Sequence, residues 1–245
     1  MPGVEMSSSF SGNFFKTVAV IPAAGLGIRM GIARPKQFII IRDMPILAIT
    51  IRAFNRSRSV DAIIIVVPDG DVEYCQEEIV HRYKLDRVKQ VVPGGARRQD
   101  SVKLGLEATK GEYDLVVIHD GVRPMVSSDI IETLIDEAKT HRAVISGIPA
   151  KDTIKEVDIE NRVLSTHVRE RLWLIQTPQV FRYKDIWEAH KMALERGWQE
   201  ATDDSALVER MGIPVKVVKG SERNIKVTTP ADLELIQFWL GEVSE

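Results

Sequence analysis

Apolar residues along this chain follow two alternating rhythms. The runs "TVAVI" (17–21), "DAIIIVVP" (61–68), "VKQVVPGG" (88–95), "YDLVVIHD" (113–120) and "RAVISGIPA" (142–150) are rich in β-branched residues. They read as strands, the most continuous of them buried on both faces of a sheet. Between them, "PILAITIRAFNRS" (45–57), "DVEYCQEEIVHRY" (71–83), "RQDSVKLGLEAT" (98–109) and "SSDIIETLIDEAKTH" (127–141) carry apolar residues at helical spacing. Asp100 or Ser101 offers a cap for the third helix, and Ser127 or Ser128 for the fourth. Strand and helix in turn predict an α/β fold: a doubly wound, mostly parallel sheet with helices on both faces.

The rhythm breaks after Ala150. "DTIKEVDIENRVLSTHVRERLWLIQTPQVF" (152–181) alternates polar and apolar residues around a turn at "DIEN". This predicts an antiparallel hairpin standing off the sheet as an arm over about 150–173. Its apolar Ile154, Val157, Val163 and Leu164 make it a candidate dimer contact, since an exposed strand edge needs a partner or charge protection. The pattern then returns to helices (183–197 and 203–212), a strand (214–220) and a last helix with Pro230 in its first turn. A single domain over 16–245 is expected, with 1–15 a flexible extension.

Composition narrows the class. The 245 residues are 44% hydrophobic and 28% charged, with a formal net charge of -2, enough to bury a core and without the global positive field of a nucleic-acid or membrane binder. No signal sequence and no membrane-spanning run is read, so a cytoplasmic location is expected. The one cysteine, Cys75, excludes an intrachain disulfide and reads as a structural residue of a helix.

The candidate chemistry begins with "PAAGLGIRMGIARPKQF" (22–38), directly after the first strand. A dinucleotide fingerprint needs a third glycine where Met30 stands, and a P-loop needs Gly-Lys-Ser/Thr, which is absent. What remains is a run of small residues (Ala23, Ala24, Gly25, Gly27) whose backbone can approach an anion or a base edge. Arg29 and Lys36 add two full charges, and Pro35 restricts the chain just before Lys36. Two cations over such a loop suit a triphosphate.

With "GGARRQDSV" (94–102), "HDGVRP" (119–124), "KDTIKE" (151–156), "LWLIQTPQVF" (172–181), "TDDSALVE" (202–209) and "NIKVTTPADL" (224–233), this loop resembles the signature of the alcohol-phosphate nucleotidyltransferases, above all the 2-C-methyl-D-erythritol 4-phosphate cytidylyltransferase family. The resemblance runs from about residue 18 to 240. It implies a Rossmann-like nucleotidyltransferase fold, a hairpin arm reaching a second subunit in a homodimer, CTP and a polyol phosphate as substrates, and Mg2+ as cofactor.

By that resemblance, Pro22, Ala23, Ala24, Gly25 and Gly27 meet the nucleotide, and Gly94, Gly95 and Ser101 line the cytosine pocket. Arg29, Lys36 and Lys226 are the catalytic cations on the phosphates. Asp120 lies beside nucleotide, sugar phosphate and magnesium, the ion being held mostly by CTP. Arg123, Thr153, Arg169, Thr177 and Thr202 hold the polyol phosphate, with Arg171 the alternative to Arg169. His119 reads as structural. Two departures from the family pattern, Gly121-Val122 after the aspartate and Val168 before the arm arginine, bear on the shape of the alcohol pocket. A ribitol-5-phosphate cytidylyltransferase is the alternative within the class. A nicotinamide dehydrogenase is disfavoured by Met30 and the two cations, and a non-catalytic nucleotide binder by the full set of charges.

Overall fold

The computed structural model describes residues 15–25, 35–198 and 201–242. In chain order its elements are β1 (Thr17–Pro22), β2 (Ile40–Ile41), β3 (Met44–Pro45), α1 (Ile46–Arg56), β4 (Ala62–Val67), α2 (Val72–Cys75), β5 (Val88–Pro93), α3 (Arg98–Ala108), β6 (Leu115–Ile118) and α4 (Ser128–Glu137). They continue with β7 (Ala143–Pro149), β8 (Lys155–Val157), β9 (Val163–Thr166), β10 (Trp173–Arg182), α5 (Tyr183–Glu195), α6 (Asp204–Glu209), β11 (Val215–Lys219) and α7 (Pro230–Glu242).

Seven strands form one sheet in the order β11-β7-β10-β6-β1-β4-β5. The pairings β1–β4, β1–β6, β4–β5 and β7–β11 are parallel, and β10 runs antiparallel to both β6 and β7. The strands β1, β4 and β6 are buried along their whole length, which is why their sequences lack a polar face. One apolar layer joins the sheet to α1 and α4; the other joins it to α3, α5 and α6. A smaller cluster of Ile41, Ile46, Ile49, Val122, Val227 and Ile236 seats α7 beside the β2–β3 hairpin. From β1 the chain steps outward to β4 and β5, then returns to place β6 on the other side of β1. The reversal opens a crevice at the carboxyl ends of β1 and β6, where open α/β sheets bind ligands.

The sequence reading needs three corrections. The stretch 173–181, read as continuing the hairpin's alternation beyond the arm, is β10, a long strand of the main sheet with its outer residues exposed and Gln176–Phe181 buried. Of this region, β8 and β9 alone stand off the main sheet, as a two-stranded sheet separate from the β2–β3 hairpin. The helix read at 71–83 is α-helical only in its first turn, then widens at 76–81, where Arg82 N–H reaches the Glu77 carbonyl five residues back. Finally, α3 begins at Arg98, so Asp100 caps it from within the first turn by accepting from Arg97 N–H (3.2 Å), while Ser101 turns toward Gly95. Ser127 caps α4 as read, accepting from Ile130 N–H, and Pro230 opens α7. Among the described residues no helix is long and apolar enough to cross a membrane.

Candidate active site

Three segments converge at the carboxyl ends of the central strands. The first is the end of β1, where Ala23 N–H donates to the Val66 carbonyl (2.7 Å) and brings the small residues alongside β4. The second is the turn after β5. A methyl group added at Gly94 would overlap the Ala24 side chain and press on Ser101 Oγ at 2.9 Å, so only glycine lets the turn lie this close to β1. Gly95 N–H donates to Ser101 Oγ (3.2 Å), which joins the three predicted base-pocket residues into one unit. The third is the loop 119–123 after β6. A Cβ at Gly121 would sit 2.8 Å from that of Ala23 and 2.9 Å from Leu47, so the glycine that departs from the family pattern fits a close approach to β1.

Asp120 is the electrostatic centre. Its carboxylate is nearly buried: Arg98 Nε donates to Oδ1 (2.8 Å), Lys226 Nζ lies 2.9 Å from Oδ2, and Arg123 Nε stands at 3.6 Å. Burial pushes its acidity toward the neutral form. The three cations, Arg98 first, outweigh that and hold it well below the usual carboxylate range.

His119 sets the loop. Its Nε2 is 3.2 Å from the Arg123 carbonyl oxygen, which can only accept, so Nε2 carries the proton and Nδ1 accepts from the Thr177 hydroxyl (3.0 Å). That hydroxyl in turn accepts from Asp120 N–H (3.0 Å). Burial keeps the ring neutral by pushing His119 down to about 3.

Lys226 arrives on the strap between β11 and α7. Asn224, fully buried, donates through Nδ2 to the Thr177 carbonyl (2.8 Å), and its own carbonyl accepts from Arg123 Nη1 (2.8 Å). Val227 N–H donates to Val122 (2.9 Å). Asp232 then accepts from the Thr228 and Thr229 N–H groups, capping α7 directly after the strap. Lys36 comes from the other side: buried Phe38 packs edge-on against Tyr74 (5.1 Å), and Lys36 Nζ donates to the Val227 carbonyl (2.9 Å).

Contacts thus link Pro22, Ala23, Ala24, Lys36, Gly94, Gly95, Ser101, Asp120, Arg123, Thr177 and Lys226, with Gly25 following Ala24 in the chain. Gly27 and Arg29 lie outside the described residues. Thr177 sits beneath Asp120 with its hydroxyl already engaged. Thr153 and Arg169 are exposed at the arm, Arg169 Nη1 donating to the Lys151 carbonyl (3.0 Å). Arg171 is likewise exposed. Thr202 lines an open groove of about 630 Å³ with Ile145, Ile175 and Val217, next to the start of α6.

Sequence reading missed Arg98, Asp204, His190 and Asn224. Arg98 carried a signal: an arginine in the first turn opposes the helix dipole, an arrangement that calls for a specific acidic partner. No group of three metal-ligating His, Cys, Asp or Glu side chains occurs among the described residues.

A doubly wound α/β sheet with a cation-rich crevice at its switch point, and without the third glycine of a dinucleotide fingerprint, belongs to the class of proteins that handle polyanionic nucleotides. Known proteins agree. Residues 17–242 match the model of the IspD family, 2-C-methyl-D-erythritol 4-phosphate cytidylyltransferase, and the chain belongs to that family. It is 45% identical to the enzyme of that name from Geobacter metallireducens (91% of this chain, 97% of the relative). It is 48% identical to the one from Desulforamulus reducens (91% and 95%). Among solved structures, 4-diphosphocytidyl-2C-methyl-D-erythritol synthase from Anaerococcus prevotii superposes with a TM-score of 0.82 at 33% identity (93% and 96%). The Francisella tularensis cytidylyltransferase does so with 0.77 at 30% (91% and 99%).

Proposed function

We propose that the chain transfers the cytidylyl group of CTP to 2-C-methyl-D-erythritol 4-phosphate in the non-mevalonate route to isoprenoids. A phosphate oxygen of the alcohol attacks the α-phosphorus, the bond to the β-phosphate breaks, and pyrophosphate leaves. The observation that carries the reading is the Lys226–Asp120–Arg98–Arg123 cluster beside the small-residue turn, in a chain of this family.

The attacking phosphate is largely dianionic near neutral pH, with a second pKa of about 6, so the reaction needs no general base. The buried groups nearby offer none: His119 is neutral and spent on the loop. The barrier is repulsion between an anion and a polyanion, lowered by fixed positive charge and in-line placement. Lys36, Lys226 and Arg29 supply that charge to the triphosphate. Backbone at Ala23, Ala24 and Gly25 approaches the nucleotide, and Gly94, Gly95 and Ser101 read the cytosine edge. Arg123 and Thr202 serve the polyol phosphate, with Thr177 holding the loop from below.

Magnesium suits this donor set in one form. Both Asp120 oxygens already face cations, so the chain alone does not offer a resident site; an ion carried in by the triphosphate needs one carboxylate and fits. Asp120 would hold it, and the ion would neutralise phosphate charge. The arm exposes Val157, Ile159, Val163, Leu164 and Val168, and a lone hairpin is marginal in water. A second copy covering it makes a homodimer in which Thr153 and Arg169 complete the neighbour's site. Water-soluble, polyanionic substrates fit a cytoplasmic enzyme.

Pyrophosphate release across nucleotides and polyol phosphates tests the reading. CTP with 2-C-methyl-D-erythritol 4-phosphate is expected to be fastest. Preference for ribitol 5-phosphate, or no release from any pair, would overturn it.

A further inference from the structure

Behind Asp120 lies a chain of charges that the proposed reaction does not use. Arg98, the first residue of α3, gives Nε to Asp120 Oδ1 (2.8 Å) and Nη1 to Asp204 Oδ2 (2.7 Å). The other oxygen of Asp204 meets His190 Nε2 on α5 at 3.2 Å. The side chains of Asp204 and His190 are each 1% exposed, so neither can touch substrate directly. Asp204 is held in turn. It opens α6, whose cap Asp203 accepts from Ala206 N–H (3.1 Å) and from Gln179 Nε2 (2.6 Å), while Gln179 Oε1 accepts from Ser205 N–H (3.3 Å).

Stability does not explain this arrangement. Buried ion chains are on average no more stabilising than apolar residues of the same volume. An arginine at the start of a helix also opposes the dipole. What the arrangement does is divide the guanidinium fork. An arginine facing a single carboxylate tends to engage both of its oxygens in parallel. Here Nε meets Asp120 Oδ1, Nη1 meets Asp204 Oδ2 and Nη2 has no partner among the described residues, so Asp204 anchors the guanidinium from its far side in a pose that gives Asp120 a single hydrogen bond on Oδ1 and leaves Oδ2 turned to Lys226. We propose that Asp204, steadied by His190, is a positioning residue for nucleotidyl transfer that acts through Arg98 on Asp120 and Lys226. The proposal rests on the reading that Lys226 and Asp120 face the phosphates.

A double-mutant cycle tests it. Asp204→Asn keeps the shape of the side chain but lowers its hold on Arg98. It is expected to reduce kcat about 10-fold to 100-fold, the range for one charge-assisted hydrogen bond. The KM for CTP is expected to stay within about twofold, because the base pocket is untouched; equal weakening of KM would mark a general disturbance of the fold. In an Arg98→Met background, Asp204→Asn is expected to cause no further loss of kcat, because the path to Asp120 is already cut. The double variant also removes the buried Asp204 charge that Arg98→Met leaves without its arginine, so its melting temperature should exceed that of Arg98→Met alone. Should Arg98→Met not fold, Arg98→Gln, whose amide can still satisfy one carboxylate, closes the cycle. Losses in kcat that multiply, or an Asp204→Asn enzyme with wild-type kcat, would overturn the relay. The wild-type assay run alongside separates the claims. An inactive wild type sinks the assigned reaction and the relay with it; an active one with multiplying losses sinks the relay alone.

Discussion

At the scale of single residues, His119 shows how a buried polar group can serve a site without entering the chemistry. It has no exposed surface, packs its ring 5.0 Å from Phe54, and links the Asp120–Arg123 loop to β10 through Thr177. Its proton affinity follows. Burial lowers it from the ordinary 6.5 to about 3, so between these values the unfolded chain binds a proton that the folded chain does not. Stability therefore falls as pH drops through this window, by about 1.4 kcal/mol per pH unit. From pH 7 to pH 5 the loss from this one residue is about 2 kcal/mol. Denaturant unfolding at the two pH values should show a drop smaller by about that amount in His119→Asn, whatever the variant's absolute stability. An unchanged difference would mean that the histidine is protonated in the folded protein. The sequence made His119 structural, while the family resemblance made Asp120 functional, with its place at a strand's carboxyl end in keeping with that. It left Asn224 and His190 unread: one lies in a loop without period and bonds Thr177, 47 residues away, and the other sits on the apolar face of α5 with its partner on the next helix.

At the scale of elements, legibility tracked how local the determining forces are. Strands buried on both faces announce themselves, and β1, β4 and β6 lie where their β-branched runs do. The strand β10 does not, because two environments share it. Its first residues face solvent and its last are core, with a register shift between Ile175 and Gln179. The alternation seen in sequence belongs to the exposed half and continues the hairpin's pattern, so the strand merged with the arm on reading. The arm itself carries a testable consequence. In a symmetric dimer each substitution acts twice, so losing one apolar contact of about 1.5 kcal/mol per subunit weakens association by about 100-fold. Leu164, 62% exposed in the single chain, is the residue to change. Sedimentation equilibrium of Leu164→Asp should give a dissociation constant raised by at least that factor over wild type. Equal masses for the two proteins at all concentrations would exclude the arm face as the interface.

At the scale of the whole molecule, the net charge of -2 conceals a local excess of the opposite sign. Arg98, Arg123 and Lys226 meet two carboxylates, Asp120 and Asp204, which leaves one positive charge over before Lys36 is added. The fold concentrates this excess where the strand order reverses, and composition could not reveal it because acidic residues elsewhere cancel the sum. The excess also decides how a divalent cation can bind. Both oxygens of Asp120 face cations, and the described residues hold no cluster of three metal-ligating side chains. A bare metal ion entering the crevice would have to displace Arg98 or Lys226 and meet their repulsion. A nucleotide triphosphate would reverse that balance: its own oxygens would provide most of the coordination shell, and its charge would draw Lys226 and Lys36 away from their present acceptors. Calorimetric titration of Mg2+ into the nucleotide-free protein should therefore show no saturable heat. The same titration in the presence of CTP should show saturable uptake beyond that of CTP in buffer. In Asp120→Asn, which leaves Lys226 and Arg123 without their carboxylate and Arg98 with Asp204 alone, CTP should still bind but the added uptake should be lost. Saturable magnesium binding without nucleotide would refute this electrostatic account of the site.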